Sequence, residues 1–264
     1  MQALLARKSA SGLSAQSVRH VRTILRIALN QAIKWELVTR NAAALTIAPR
    51  LERKRFRCLS PDEARQLLDA AQGNRLEGVF SAALALGLRM GEILGLRWQG
   101  DVDLDGGTLR VNQAIYRIKG KGLVASEPKT ERSRRTLFLP DTVLRALRAH
   151  RLRQLQERLA AGSRWQNSGL VFTSSIGTAL EPRNLFRSFK AQLRKADLPD
   201  VRFHDLRRSA ASLLLAQGVP MRAVMEVLGH SSISTTADIY SHVMPAMMRD
   251  VADKMDAILG GRKA

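Results

Sequence analysis

The chain has 264 residues, 45% of them hydrophobic, and its 43 Lys and Arg against 23 Asp and Glu leave a formal net charge of +20. Positive charge on that scale, spread along the chain rather than gathered in one tail, points to a polyanionic partner, nucleic acid foremost, bound mainly by phosphate neutralisation. The length suits one large domain or two smaller ones, no apolar run nears the ~20 residues that cross a bilayer, and a lone cysteine, Cys58, excludes an internal disulfide framework. With no apolar secretory core at the N-terminus, the expected location is the cytoplasm, on the nucleoid, with no membrane partner.

Residues 14–38 predict a helix: Ser14 caps it, and Val18, Val21, Leu25, Ala28, Leu29, Ala32 and Ile33 recur at helical spacing. Arg19, His20, Arg22 and Arg26 decorate its other faces. One long helix buries little alone, so residues 1–50 read as part of a helical domain. Pro49 and the run R-L-E-R-K-R-F-R then mark a basic linker, placed at 51–59. Lys54, Arg55 and Arg57 would lower the pKa of the Cys58 thiol, but the local sequence shows no base to make it catalytic, and it reads as an incidental linker residue.

A second domain, 60–264, opens at Ser60-Pro61-Asp62-Glu63, where Ser60 is an N-cap, Pro61 takes the first helical position and Glu63 completes a capping box. Gly73 ends that helix. Further helices are expected at 76–86 and, after the turn Gly87-Leu88-Arg89, at 90–96. Val102 and Leu104, the Asp105-Gly106-Gly107 turn, and Leu109 and Val111 predict a hairpin, with a third strand at 134–139 stopped by Pro140. From Asp141 the chain reads as helical at roughly 141–161, 182–196, 204–217, 220–228, 233–242 and 245–259, broken by Gly162, Gly218 and Pro220. The fold class is mainly α with a small antiparallel β-sheet (α+β).

Two patterns imitate binding motifs. Asp101-Val-Asp-Leu-Asp-Gly begins like a calcium loop, but Val102 and Leu104 alternate like a strand and the twelfth place holds Asn112 instead of a bidentate Glu. Gly87, Gly91 and Gly95 recur every fourth residue, which suits close helix packing rather than a phosphate loop. No Cys cluster, H-E-x-x-H or grouped carboxylates accompany His204 and His230, so no metal or other cofactor is expected.

The chain holds only two tyrosines. Tyr116 lies in an alternating stretch and reads as structural, whereas Tyr240, in A-D-I-Y-S-H-V at 237–243, follows H-D-L-R-R at 204–208 and L-G-H-S-S at 228–232. Cleaving a phosphodiester without metal requires a nucleophile, cations for the non-bridging oxygens, an acid for the leaving oxygen and exclusion of water. A phenol among Arg and His side chains fits that demand, since the planar guanidinium donates to two phosphate oxygens at once. Arg89 stands in A-L-G-L-R-M-G-E-I-L-G-L-R-W with Glu92 one helical turn on, placed to orient it. Lys129 stands in E-P-K-T-E-R-S-R-R-T-L-F-L-P, at an expected hairpin tip. His204 and Arg207, three apart on one helix, face the same way. Arg97, Arg134, Arg135 and Arg208 read as DNA-backbone contacts or solvated charges, and Trp98 as packing.

These motifs in this order resemble the tyrosine recombinase, or phage integrase, family over about residues 60–245. Residues 14–50, with N-Q-A-I-K-W-E-L-V-T-R-N at 30–41, are similar to the back half of that family's helical core-DNA-binding domain. The resemblance implies a recombinase catalytic fold preceded by a partial helical domain. It also implies that Tyr240 attacks the scissile phosphate to leave a 3′-phosphotyrosyl link and a free 5′-hydroxyl. Arg89, Arg207 and His230 would stabilise the transition state, Lys129 would protonate the 5′ oxygen, His204 would take the nucleophile's proton or hold a phosphate oxygen, and Glu92 would support them. Neither ATP nor metal is then required. Double-stranded DNA is the implied partner, handled by a homotetramer on two sites, with room for accessory DNA-bending proteins. The helix from Pro245, carrying Met247, Met248, Val251, Met255 and Leu259, would dock on a neighbouring protomer or pack internally. The family's N-terminal domain is only partly represented, and H-D-L-R-R-S replaces the commoner H-D-L-R-H-T. Two readings without strand exchange therefore stay open: a catalytically impaired integrase remnant, and a helix-turn-helix-like DNA-binding protein over 211–240 with Gly218 in the turn.

Overall fold

In the computed structural model, which describes residues 1–51, 57–127 and 134–229, the Ser14 hydroxyl caps the first long helix by accepting the Ser17 N–H at 3.2 Å. That helix, α2 (Ala15–Lys34), follows a short α1 (Gln2–Ala10) that the sequence did not announce. It stops four residues before the predicted end. Trp35 is its C-cap, Glu36 takes φ 59°, and the N–H groups of Glu36 and Leu37 return to the carbonyls of Ile33 and Ala32. This is the left-handed helix stop that glycine usually supplies; with Glu there, no residue type signals it. Asn41 then ties the following loop to α2, its amide donating to the Arg26 carbonyl and to Asn30 while its oxygen accepts the Ala43 and Ala44 N–H groups. Ile24, Ile27, Trp35 and Leu37 of this unit are exposed.

Chain contacts separate Met1–Phe56 from a second unit beginning at Arg57. In the second unit, Ser60 and Glu63 close the predicted capping box on α3 (Pro61–Ala71), and Gly73 follows with φ 71°. The helix α4 (Glu77–Ala85) is buried from Gly78 to Leu84 because its sequence is apolar all round. It packs against α7 (Asp141–Ala161) and α9 (Phe203–Ala216). Phe80, Phe172 and Phe189 fill the centre, where Phe189 meets Phe80 and Phe203 with centroids 5.9 and 5.4 Å apart.

The predicted hairpin and third strand form one antiparallel sheet in the order β1 (Val102–Asp103), β2 (Thr108–Val111), β5 (Arg135–Phe138), with Leu109 paired to Leu137 on the buried face. The Asp103 carboxylate accepts the Asp105 and Gly106 N–H groups, so the calcium-loop lookalike is a strand and turn. Between β2 and β5 lies an unpredicted second hairpin, β3 (Ala114–Ile118) with β4 (Gly122–Ser126), on which Tyr116 is exposed. Cys58 is half-buried, and burial with the nearby Asp205 charge pushes its thiol up rather than down as its basic neighbours suggested. No helix among the described residues is long and apolar enough to cross a membrane. The expected helices at 233–242 and 245–259 lie outside the described residues.

The glycine spacing has a structural outcome at two of its three positions. Helix α5 (Met90–Gly95) lies on β3, and a Cβ on Gly91 or Gly95 would stand 3.0 Å from the carbonyl oxygens of Ile115 and Gln113 respectively. A Gly95→Val substitution must therefore push a helix off a strand, and we expect urea unfolding to show a loss of about 1–3 kcal/mol.

Candidate active site

The site is built around the end of a helix. An α-helix leaves its last carbonyls without partners and carries partial negative charge there. At the end of α10 (Met221–Leu228), Gly229 adopts φ 66° and its N–H returns to Glu226. The next carbonyls each accept from a different arginine. Arg135 Nε of β5 donates to Val227 O at 2.7 Å, Arg207 Nη2 of α9 to Leu228 O at 2.6 Å, and Arg89 Nη2, just before α5, to Gly229 O at 3.3 Å.

Glu92 binds two of these arginines together. Its Oε1 accepts Arg89 Nη1 at 2.7 Å, and its Oε2 accepts the Arg89 backbone N–H at 3.0 Å and Arg135 Nη2 at 2.9 Å. The backbone contact follows from local sequence, since Arg89 is the N-cap and Glu92 the third residue of α5. Glu92 is 4% exposed. Burial pushes its carboxyl up, but the Arg135 charge and hydrogen bond, the Arg89 N–H and the Arg89 charge hold it below its ordinary value.

Arg207 is 3% exposed and also donates to Gly87 O at 2.6 Å. Gly87 is necessary there: it takes φ 59°, and a Cβ on it would lie 2.3 Å from Leu228 Cδ2. Burial first, and then the Arg89 and Arg135 charges, pull the Arg207 guanidinium down to about 9, against the opposing pull of Glu92. It remains a cation at neutral pH. Arg89, with 36% of its side chain exposed, is the more open of the pair. Among the described residues one carboxylate thus sits among three guanidinium groups, two of which it binds.

His204 lies on the first turn of α9, one turn before Arg207, but at the surface where Arg207 is interior. Although the residue is exposed, enough of the ring is covered that burial is the largest cause lowering its pKa, followed by the Arg207 and Arg208 charges. Among the described residues no group of three or more His, Cys, Asp and Glu side chains could hold a metal ion. Lys129, His230 and Tyr240 lie outside the described residues.

One of the four arginines read as DNA contacts or solvated charges fits that description poorly: Arg135 has 7% of its side chain exposed and belongs to the cluster. Arg97 is exposed and pairs with the buried Asp101 through its backbone N–H and its guanidinium. The signal for Arg135 was strand alternation, since it shares the inward face of β5 with Leu137. Arg134 and Arg208 do sit nearer the surface, in ion pairs with Glu127 and Asp205. Of the span 211–240 read as a possible helix-turn-helix, the described part holds the end of α9, Gly218 at φ 77° and α10, whose end lies against the arginines.

Comparison with known proteins assigns this arrangement. The family model of the phage integrase family matches residues 57–247. The chain belongs to the phage integrase family. A tyrosine recombinase XerC-like protein of Caldanaerobacter subterraneus subsp. tengcongensis is 33% identical over 262 residues, covering 93% of this chain and 67% of the relative. The ICEBs1 integrase of Bacillus subtilis is 29% identical, covering 94% and 67%. This integrase-family chain therefore spans about two thirds of the length of such curated relatives. Among solved structures, the Tn1549 transposon integrase in complex with transposon right end DNA shares its fold with a TM-score of 0.78 at 20% identity, over 95% of this chain and 84% of that one. The lambda integrase dimer bound to a COC' core site does so with a TM-score of 0.59 at 21% identity, over 90% and 62%.

Glu92→Gln leaves two guanidinium groups on a neutral amide in a buried place. We expect a loss of about 3 kcal/mol in folding free energy at neutral pH. Because the folded carboxyl titrates below its ordinary 4.5, the stability it contributes is complete above that value and is lost as the pH falls through the folded value. Denaturant titrations should therefore show a gap between parent and variant that narrows only in acid.

Proposed function

We propose that this integrase-family chain is a site-specific DNA recombinase that cuts and rejoins strands through a covalent 3′-phosphotyrosyl intermediate. The observation that carries the proposal is the Arg89–Arg207 pair, one partly exposed and one buried, both fixed to the end of α10 in a cluster where Glu92 is the one carboxylate among the described residues. A phosphodiester supplies the missing negative charge, and its non-bridging oxygens accept from the guanidinium forks. Tyr240 Oη attacks phosphorus and gives its proton to His204, a phosphorus–oxygen bond forms, the bond to the 5′ oxygen breaks, and Lys129 protonates that oxygen. His230 adds a donor to the phosphate. The 5′-hydroxyl of a second strand reverses these steps. The phosphodiester energy is kept in the protein–DNA bond, so ATP is not consumed, and guanidinium groups take the place that metal ions hold in other nucleases.

In this reading residues 1–50 contribute to DNA binding and 60–264 carry catalysis. The working form is a homotetramer on two duplexes, to which the C-terminal helix and accessory DNA-bending proteins lend support, on the nucleoid. The net charge of +20 makes duplex affinity fall steeply with salt.

The test is incubation with nicked suicide duplexes taken from the DNA flanking the gene, followed by a denaturing gel. A covalent adduct formed by the parent and lost in Tyr240→Phe is expected; duplex binding without adduct in the parent would instead leave a DNA-binding protein that exchanges no strands. Acid response provides a separate check. His204 is depressed below 6.5, so its imidazole is neutral at physiological pH and becomes protonated only below that value. Adduct rates measured between about pH 5 and 8 should fall only at the acid end. In His204→Asn the rate should drop by about 10²-fold and lose that acid limb.

A further inference from the structure

We infer that Arg135 is a positioning residue for strand cleavage: it holds Arg89 through Glu92 and, with the same guanidinium, holds the end of α10 through Val227. The inference rests on the recombinase reading above. Arg135 and Arg207 are both interior, but among the described residues Arg207 donates to backbone carbonyls, whereas Arg135 spends its fork on a carboxylate. Nη2 lies 2.9 Å and Nη1 3.4 Å from the two Glu92 oxygens, and Nε lies 2.7 Å from Val227 O.

Arg89 alone engages Glu92 from one side, and a carboxylate held from one side can turn about its last side-chain bond. The Arg135 fork closes the other side, so both oxygens are fixed and Arg89 Nη1 is aimed with them. The third donor acts on a different element. Val227 precedes Leu228 and Gly229, whose carbonyls take Arg207 and Arg89. Gly229 also accommodates Arg135 directly, since a Cβ there would meet its Nη1 at 2.8 Å. One planar group therefore sets the distance between the α5 start and the α10 end, the two surfaces between which Arg89 is held. Lysine cannot reproduce this, because a single ammonium lacks the rigid fork that reaches a carboxylate and a carbonyl together.

The experiment compares the parent with Arg135→Lys, Arg135→Gln, Glu92→Gln and the double variant Arg135→Gln/Glu92→Gln. Duplex affinity over a salt series, melting temperature, and adduct rate at saturating suicide DNA are measured for each. We expect Arg135→Lys, which keeps a cation beside Glu92 but loses the fork, to melt somewhat lower yet stay folded at the assay temperature, to keep the parental affinity and salt slope, and to form adduct about 10²-fold more slowly. We also expect the double variant to fall well short of the product of the two single losses, as residues acting along one path do. A parental adduct rate in Arg135→Lys overturns the inference and leaves the recombinase reading intact. So does a weaker salt slope, which marks a direct phosphate contact, or full multiplication of the single losses, or an Arg135→Lys rate that returns to the parental value once both proteins are assayed well below their melting temperatures. If Arg135→Gln does not fold, Arg135→Lys still decides. A parent that forms no adduct overturns both readings together.

Discussion

Three successive backbone carbonyls, those of Val227, Leu228 and Gly229, need hydrogen-bond donors, and the protein supplies them as three arginines from three separate elements. The arrangement converts a general defect of helix ends into a fixed geometry. A carbonyl satisfied by water would leave α10 free to fray, whereas one satisfied by a guanidinium ties its end to β5, to α9 and to the start of α5. Because the helix end carries partial negative charge, it also lessens the cost of bringing three cations together around Glu92. The same bonds that close the helix thereby aim Arg89 and Arg207.

The cluster is not arranged for greatest stability. Burying Arg207 while leaving it two like-charged neighbours lowers its proton affinity markedly, and replacing such a network with packed apolar groups is often neutral or favourable for folding. Retaining it is sensible where an anion completes the charge. Glu92 neutralises part of the cluster, and in the proposed reaction the remaining positive charge meets a phosphate.

Much of this was legible in the sequence where a residue type has one dominant local use. Ser60, Pro61 and Glu63 specified a helix start, Gly218 a break, and Arg89 with Glu92 a contact one turn apart, and all of these appear in the structure. What escaped reading depended on exceptions or on distance. Glu36 stops α2 in a conformation normally left to glycine, so the predicted helix ran too long. The β3–β4 hairpin turns through Lys119-Gly120-Lys121, and β4 runs Leu123-Val124-Ala125 without the apolar–polar alternation that marks a half-buried strand. Arg207 sits on the apolar stripe of α9 with Phe203 and Ala210, and Arg135 on the inward face of β5. Periodicity marks each as interior, but the carbonyls they serve lie 21 and 92 residues away, and no local pattern joins them.

The absent side chain of Gly87 has a mechanical consequence. It leaves a notch one methyl group deep, filled by Leu228 from the last turn of α10, while its carbonyl grips Arg207 beside it. A knob seated in a notch behaves as a detent: the helix cannot slide along its axis or roll about it without first lifting that leucine out. The detent thus keeps the last turn of α10 in step with Arg207.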